Sequence, residues 1–309
     1  MSTSNTITFI LFIATTLLAS CNAAENAASQ PLFPAILIFG DSTVDTGNNN
    51  YPINTFFRAT HLPYGIDLPN HEANGRFSNG KLIPDILAAK YNIKQLVPPF
   101  LQPNLSDQEN RRTNDFILNY YTIPSRRLQY HHVSSYQDFI LKRLDNLIGE
   151  LYSLGCRNIV IGGLPPIGCL PIQMTAKFRN IFRFCLEQEN KDSVVYNQKL
   201  QKQIPQMQAS LTGSKILYSD IYNPIYDMMQ NPGKYGIDTT FLVSQGLRRQ
   251  KRGCCGTGFL ETSFMCNVLS QTCDNHSEFL FFDSIHPSEA TYNYIGDLLD
   301  TQIREWIAA

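Results

Sequence analysis

A parallel β-sheet flanked by helices is the fold class this sequence predicts, and three observations carry it. Short apolar runs alternate along the chain with amphipathic stretches. The composition, 43% hydrophobic and 17% charged over 309 residues, is that of a folded protein and not of a disordered one. Pro and Gly are spread through the chain without forming a linker, so one domain of α/β type is expected.

The elements follow in order. Ala35 to Phe39 (AILIF) is an apolar run ending at Gly40 and reads as a buried strand. Ser134 and Ser135 can cap a helix in which Phe139, Ile140, Leu144, Leu147, Ile148 and Leu151 recur every three or four residues, until Gly155 stops it. Ile159 to Ile161 is a second buried strand, ending in Gly162-Gly163-Leu164-Pro165-Pro166. A helical stretch runs from Met174 to Leu211, with a break expected near Pro205. Lys215 to Leu217 and Phe279 to Phe282 (FLFF) are further strand candidates, and a last helix follows Pro287, capped by Ser288 and reaching Trp306.

The N-terminus sets the compartment. Ile7 to Ala19 carries no charge and precedes small residues at Cys21 and Ala23, so residues 1–23 read as a secretory signal cleaved after Ala23, leaving 24–309 as a single domain. No other apolar run reaches the ~18 residues of a membrane span, so none is expected. Cleavage leaves seven cysteines in an oxidising compartment, where disulfides are the default. Cys156 is the candidate for an inert buried thiol, and the sequons at Asn104 and Asn275 are candidate glycosylation sites. Cys254, Cys255, Cys266 and Cys273 lack paired C-x-x-C spacing and read as disulfide partners, so no metal and no cofactor is expected. A formal net charge of −1 provides no field to attract a phosphate backbone, which argues against nucleic acid as a partner. The basic cluster Arg248, Arg249, Lys251 and Arg252 reads as a solvated loop.

Candidate chemistry lies at the two ends. Ligands of open parallel sheets bind beyond the carboxyl ends of the strands, and Gly40-Asp41-Ser42 follows one candidate strand while Asp283-Ser284-Ile285-His286 follows another. A serine hydroxyl needs a base to take its proton, a neutral histidine suits that role, and a carboxylate fixes the histidine tautomer. Ser42, His286 and Asp283 supply these three functions as candidate catalytic residues. There is no G-x-S-x-G elbow, which argues against the α/β-hydrolase arrangement. Asn48, Asn49 and Asn50 are expected to hydrogen-bond the loop that carries Ser42.

Five motifs occur in order: FGDSTVDTGNNN (39–50), GRFSNGK (75–81), GGLPPIGC (162–169), KRGCCGTG (251–258) and FDSIHP (282–287). With them the chain resembles the plant GDSL esterases/lipases of the SGNH-hydrolase superfamily, from about Phe33 to Trp306. The resemblance implies a flavodoxin-like three-layer α/β/α sandwich with a mainly parallel sheet. It implies a secreted enzyme, of the cell wall or apoplast if from a plant, hydrolysing small-molecule acyl esters or lipids. Ser42 matches the family nucleophile, His286 the base and Asp283 the residue orienting it. The family's oxyanion hole uses the serine N–H, here Ser42, a glycine from a second block, and the asparagine of a G-x-N-D block, matched by Asn114.

The chain departs from that pattern in one place. Family members carry a segment resembling F-A-S-G-G-A-G, a helix and an apolar strand ahead of the N-D pair. Here Pro103 leads through the polar run Asn104 to Thr113 straight to Asn114, with Arg112 in place of the G-x-N-D glycine. One oxyanion donor has no residue to supply it, and one or two central elements of the sandwich are missing. The alternative expectation is therefore a catalytically impaired or non-catalytic member, a binding remnant or misassembled gene product. Phe241 to Gln250 (FLVSQGLRRQ) is a second, smaller departure, longer than the family's usual turn.

Overall fold

The computed structural model describes residues 32–51, 55, 57–102, 120–121, 124–177, 180, 182–237 and 249–309. Residues 1–23, read above as a signal, Asn104, Asn114 and nearly all of the 241–250 segment lie outside the described residues. The architecture is mixed α/β with a parallel sheet and several helices. Helices α1 (Ile83–Lys90), α2 (Pro124–Gln129) and α3 (Val133–Ser153) precede strand β1 (Asn158–Gly162). Then come α4 (Pro171–Ala176), α5 (Glu187–Ser210), strand β2 (Lys215–Ser219), α6 (Tyr222–Gln230) and α7 (Glu289–Ala308). No helix among the described residues is long and apolar enough to cross a membrane.

Strands β1 and β2 pair in parallel, Asn158 opposite Lys215 through Gly162 opposite Ser219. The α5 crossover between them is what a parallel pair requires. Side chains alternate across the pair. Ile159, Ile161 and Ile216 point to one face, where they meet Leu141 and Ile148 of α3 and Tyr196, Leu200, Ile204 and Met207 of α5. Leu217 points to the other face, toward Leu87 of α1 and Tyr91 just after it, Ile225 of α6, and Ile295, Leu299 and Ile303 of α7, joined by Phe33, Ile36 and Ile38. Helices thus cover both faces of β2, giving an α/β/α layering. Strand β1 was expected to be buried on both faces, but its outer face is open, with Val160 exposed.

Several other sequence expectations meet a different outcome. Ala35 to Phe39 forms no strand: Ile36 and Ile38 pack inward, while Leu37 and Phe39 are exposed. An apolar run becomes a strand only where a neighbour takes its backbone hydrogen bonds. In a flavodoxin-like order the first strand lies between the second and third, and among the described residues no strand pairs with this run. Phe279 to Phe282 is buried, but among the described residues it makes only isolated bridges, Phe281 to Gly253 and to Pro287. The Cys254 and Cys255 N–H groups bond to the Phe281 and Phe282 carbonyls at 3.1 and 2.8 Å, and Phe282 N–H turns back to His286 O at 2.8 Å. That turn uses the backbone groups a sheet neighbour would need.

Helix α3 begins at Val133 after His132, so Ser134 and Ser135 lie inside it and do not cap it. It stops where Gly155 adopts a φ of 101°, a left-handed value open to glycine. The expected helix from Met174 splits into α4 and α5, and α5 continues through Pro205 without a break. Leu200, Ile204 and Met207, buried on either side of Pro205, outweigh its ~3 kcal/mol helix penalty. Helix α7 is capped as expected, Ser288 Oγ accepting from Thr291 N–H at 3.3 Å.

Three disulfides join Cys169 to Cys185, Cys254 to Cys273 and Cys255 to Cys266. Cys156 is free and half-buried, at the surface beside the Gly155 turn and not in the core. Lys251 and Arg252 are not a solvated loop. Both are half-buried, Lys251 over the Phe184 ring and Arg252 over the Phe279 ring.

Candidate active site

The segment after Phe39 turns sharply because Asp41 caps it, accepting from Thr43 N–H at 2.9 Å and Thr43 Oγ1 at 2.7 Å. Asp45 caps the next turn, accepting from the Gly47, Asn48 and Asn49 N–H groups at 2.9, 2.5 and 3.2 Å. Ser42 lies half-buried between the two. The asparagines that follow tie other loops to this one: Asn48 Oδ1 accepts from Leu101 N–H, Asn49 donates to Phe57 O and Asn50 to Asn74 O. Arg76, buried and held bidentate by Asp85 at 2.8 and 2.7 Å, also donates to Thr46 O and Val97 O, clamping the same region from beneath.

From the other end of the chain, Asp283 accepts the N–H groups of Ile285 and His286 at 2.8 and 2.7 Å. This tight turn presents the His286 ring on the far side of the carboxylate. Gly253 backs the turn so closely that a Cβ there would stand 2.4 Å from Asp283 O. The structure brings the two ends together. Ser42 Oγ lies 2.7 Å from His286 Nε2, and His286 Nδ1 lies 2.7 Å from Asp283 Oδ2. Asp283 is 0% and His286 3% exposed, and the His286 ring stacks on Phe77 with centroids 4.7 Å apart.

Burial of Asp283 opposes its ionisation. The charge of His286, hydrogen bonds from its side chain and backbone, and one from Tyr64 more than offset this, leaving the carboxyl below its ordinary value. A carboxylate at Nδ1 stabilises the tautomer that leaves Nε2 free to accept the serine proton. The arrangement is that of an activated hydroxyl.

Two residues at this site carried no signal in the sequence. Tyr64 donates to Asp283 Oδ2 at 2.7 Å, and Thr262 Oγ1 donates to the same oxygen at 3.0 Å. Tyr64 lies in the unremarked run Leu62-Pro63-Tyr64-Gly65, and nothing in its spacing relates it to Asp283, 219 residues away. Of the other candidates, Asn275 is exposed, its side chain held by Ser277 and Glu278. Asn114 and Asn104 lie outside the described residues. Cys254, Cys273 and His276 approach within 4.8 Å of one another, but the two sulfurs are joined in a disulfide and are not thiolate ligands.

A family model described as GDSL-like Lipase/Acylhydrolase matches residues 110–299. Among curated relatives from Arabidopsis thaliana, GDSL esterase/lipase At2g24560 is 61% identical over 369 aligned positions, covering 100% of this chain and 99% of the relative. GDSL esterase/lipase At1g58430 is 59% identical over 370 positions, covering 100% of both. GDSL esterase/lipase At1g06990 is 42% identical over 334 positions, covering 88% of this chain and 89% of the relative. An alignment of 369 positions against a chain of 309 residues leaves at least 60 positions of the first relative without a counterpart here. The shortfall fits the block missing ahead of Asn114, and the family match begins beside that junction.

Proposed function

Because the chain belongs to the GDSL-like lipase/acylhydrolase family of carboxylic ester hydrolases, we propose that it is a secreted serine esterase acting on lipid or other acyl esters. In this reading residues 24–309 form a single hydrolase domain. The observation that carries the proposal is the unbroken hydrogen-bonded line from Ser42 through His286 to Asp283, two contacts of 2.7 Å each. His286 Nε2 takes the Ser42 proton as Oγ attacks the ester carbonyl. The tetrahedral oxyanion is held by the Ser42 N–H and Asn114. The imidazolium returns its proton to the departing alkoxide, leaving an acyl-serine, and a water deprotonated by His286 then releases the acid. Asp283, buried and ionised, holds the ring and offsets its transient charge.

Secretion is supported by the uncharged run Ile7 to Ala19 and by three disulfides. It predicts a mature N-terminus at Ala24, with glycan on Asn104 and exposed Asn275, readable by mass spectrometry before and after deglycosylation. The test of catalysis is labelling by a fluorophosphonate together with hydrolysis of short p-nitrophenyl esters. Both depend on Ser42 if the proposal holds, and labelling that persists in Ser42→Ala ends it.

A second reading, a catalytically impaired member, is favoured by the at least 60 alignment positions that this chain lacks. Loss of one oxyanion donor lowers the rate by about 10² to 10³. In that case Ser42 still labels, but slowly, and ester turnover falls short of the full-length relative by about that factor.

A further inference from the structure

We infer that Tyr64 and Thr262 are positioning residues, acting through Asp283 to set how tightly the His286 imidazole is held. The inference rests on the esterase reading above and deepens it. Asp283 Oδ2 accepts three hydrogen bonds, from His286 Nδ1 at 2.7 Å, Tyr64 OH at 2.7 Å and Thr262 Oγ1 at 3.0 Å, while Oδ1 accepts two backbone N–H groups. Among the described residues no Lys or Arg forms an ion pair with this fully buried carboxylate. Its charge is therefore balanced by neutral donors. Each hydroxyl on Oδ2 disperses negative charge that would otherwise act on the Nδ1 proton. With both donors present the carboxylate stays ionised without pulling hard on the ring. Without them it holds the imidazolium more strongly, and His286 becomes slower to return the proton.

The two donors are themselves over-determined, as a positioning role requires. The Tyr64 ring meets Phe77 and Phe282 edge-on, each at 5.7 Å, and its hydroxyl oxygen accepts from Ser263 N–H at 2.7 Å. Ser263 has a φ of 50°, uncommon for a residue other than glycine. Its hydroxyl accepts from Arg58 N–H at 2.8 Å and donates to Arg58 O at 3.0 Å. Thr262 and Ser263 sit inside the loop closed by Cys255–Cys266. Three distant stretches, 58–64, 255–266 and 283–286, thus converge on one carboxylate oxygen. Among the described residues, Tyr64 and Tyr292 of α7 interact with Asp283, and the charge of Asp41, beside Ser42, bears on Tyr292. Burial raises both tyrosines above their ordinary value, so they stay neutral at neutral pH.

The experiment follows the His286 Cε1–H resonance by NMR against pH in the full chain, identified by its loss in His286→Gln. Tyr64→Phe keeps the ring and removes only the hydroxyl; Thr262→Val keeps the shape. Each is expected to move the His286 titration upward by about half a unit or more. Kinetically, kcat falls roughly tenfold with KM within about twofold, and the acid limb of the rate profile moves up with the titration. Thr262→Ser restores the wild-type curve. A purely structural role for the two hydroxyls predicts a lower melting temperature with an unmoved titration. Curves in Tyr64→Phe and Thr262→Val that superimpose on wild type overturn the inference. The titration needs no turnover, so it decides this point even if labelling in Ser42→Ala shows the esterase reading to be wrong.

Discussion

Val160 of β1 stands directly opposite Leu217 of β2 across the parallel pair, yet only one of the two is covered. Leu217 lies under α7 and the 33–38 segment, whereas Val160, on the same face, is 36% exposed. Among the described residues no strand pairs with the other edge of β1. A sheet that continued past it would bring a strand to its edge and a helix above Val160. The stability of the two positions should differ accordingly. Val160→Thr is expected to change the unfolding free energy by less than about 0.5 kcal/mol, and Leu217→Thr to cost roughly 1–2 kcal/mol. Urea titration of both variants checks this, and equal losses would mean that β1 is covered in solution.

Restoring the missing segment should restore what it supports. Replacing the polar run between Glu109 and Asn114 with the corresponding segment of the 61% identical relative is expected to bury Val160 and raise kcat/KM by about 10² or more. Side-by-side assay of the chimera and the chain on one soluble ester decides it. No gain would place the limitation elsewhere than in the oxyanion hole.

Asp283→Asn tests the carboxylate without changing its shape. An amide at this position stabilises neither the required tautomer nor the imidazolium, so kcat is expected to drop by roughly 10³ to 10⁴ while the fold survives. Fluorophosphonate labelling rates of the variant and wild type give the ratio, with circular dichroism to establish that the variant is folded.

The depressed Asp283 carboxyl also has a consequence for stability in acid. Its value is lower folded than unfolded, so it stabilises the native state above the ordinary aspartate value near 4, and this contribution is lost as the pH falls through the folded value. Between about pH 5 and pH 2, wild type should therefore lose stability more steeply than Asp283→Asn, which has no proton to gain at that position. Melting temperatures across this range measure the difference, and parallel curves would show that the carboxylate contributes no such linkage.

The disulfides near the site should matter as much as its polar groups. Cys255–Cys266 closes the loop that carries Thr262 and Ser263 against Asp283 and Tyr64. Replacing both cysteines by serine is expected to cost roughly 2–4 kcal/mol and to weaken labelling of Ser42. Labelling at the wild-type rate in a destabilised variant would separate the loop from the site.

Local signals were legible in the sequence wherever a residue's role depends on its immediate neighbours. The Ser288 cap, the α3 stripe, the Gly155 stop and the Asp283-to-His286 turn all depend on spacings of a few residues, which sequence displays directly. The family motifs extended that reach to Ser42, because they name residues 244 positions apart that share one hydrogen bond. What only the tertiary structure decided were matters of partnership. Ala35 to Phe39 has the composition of a strand and is not one, because strand formation needs a neighbour to accept its backbone hydrogen bonds. Pro205 carries a helix-breaking signal overridden by the core on either side of it. Tyr64 has no local signature at all, since its function lies in the 2.7 Å between its hydroxyl and a carboxylate from the far end of the chain. Periodicity and capping are properties of a segment; pairing, cover and orientation are properties of what the rest of the chain places beside it.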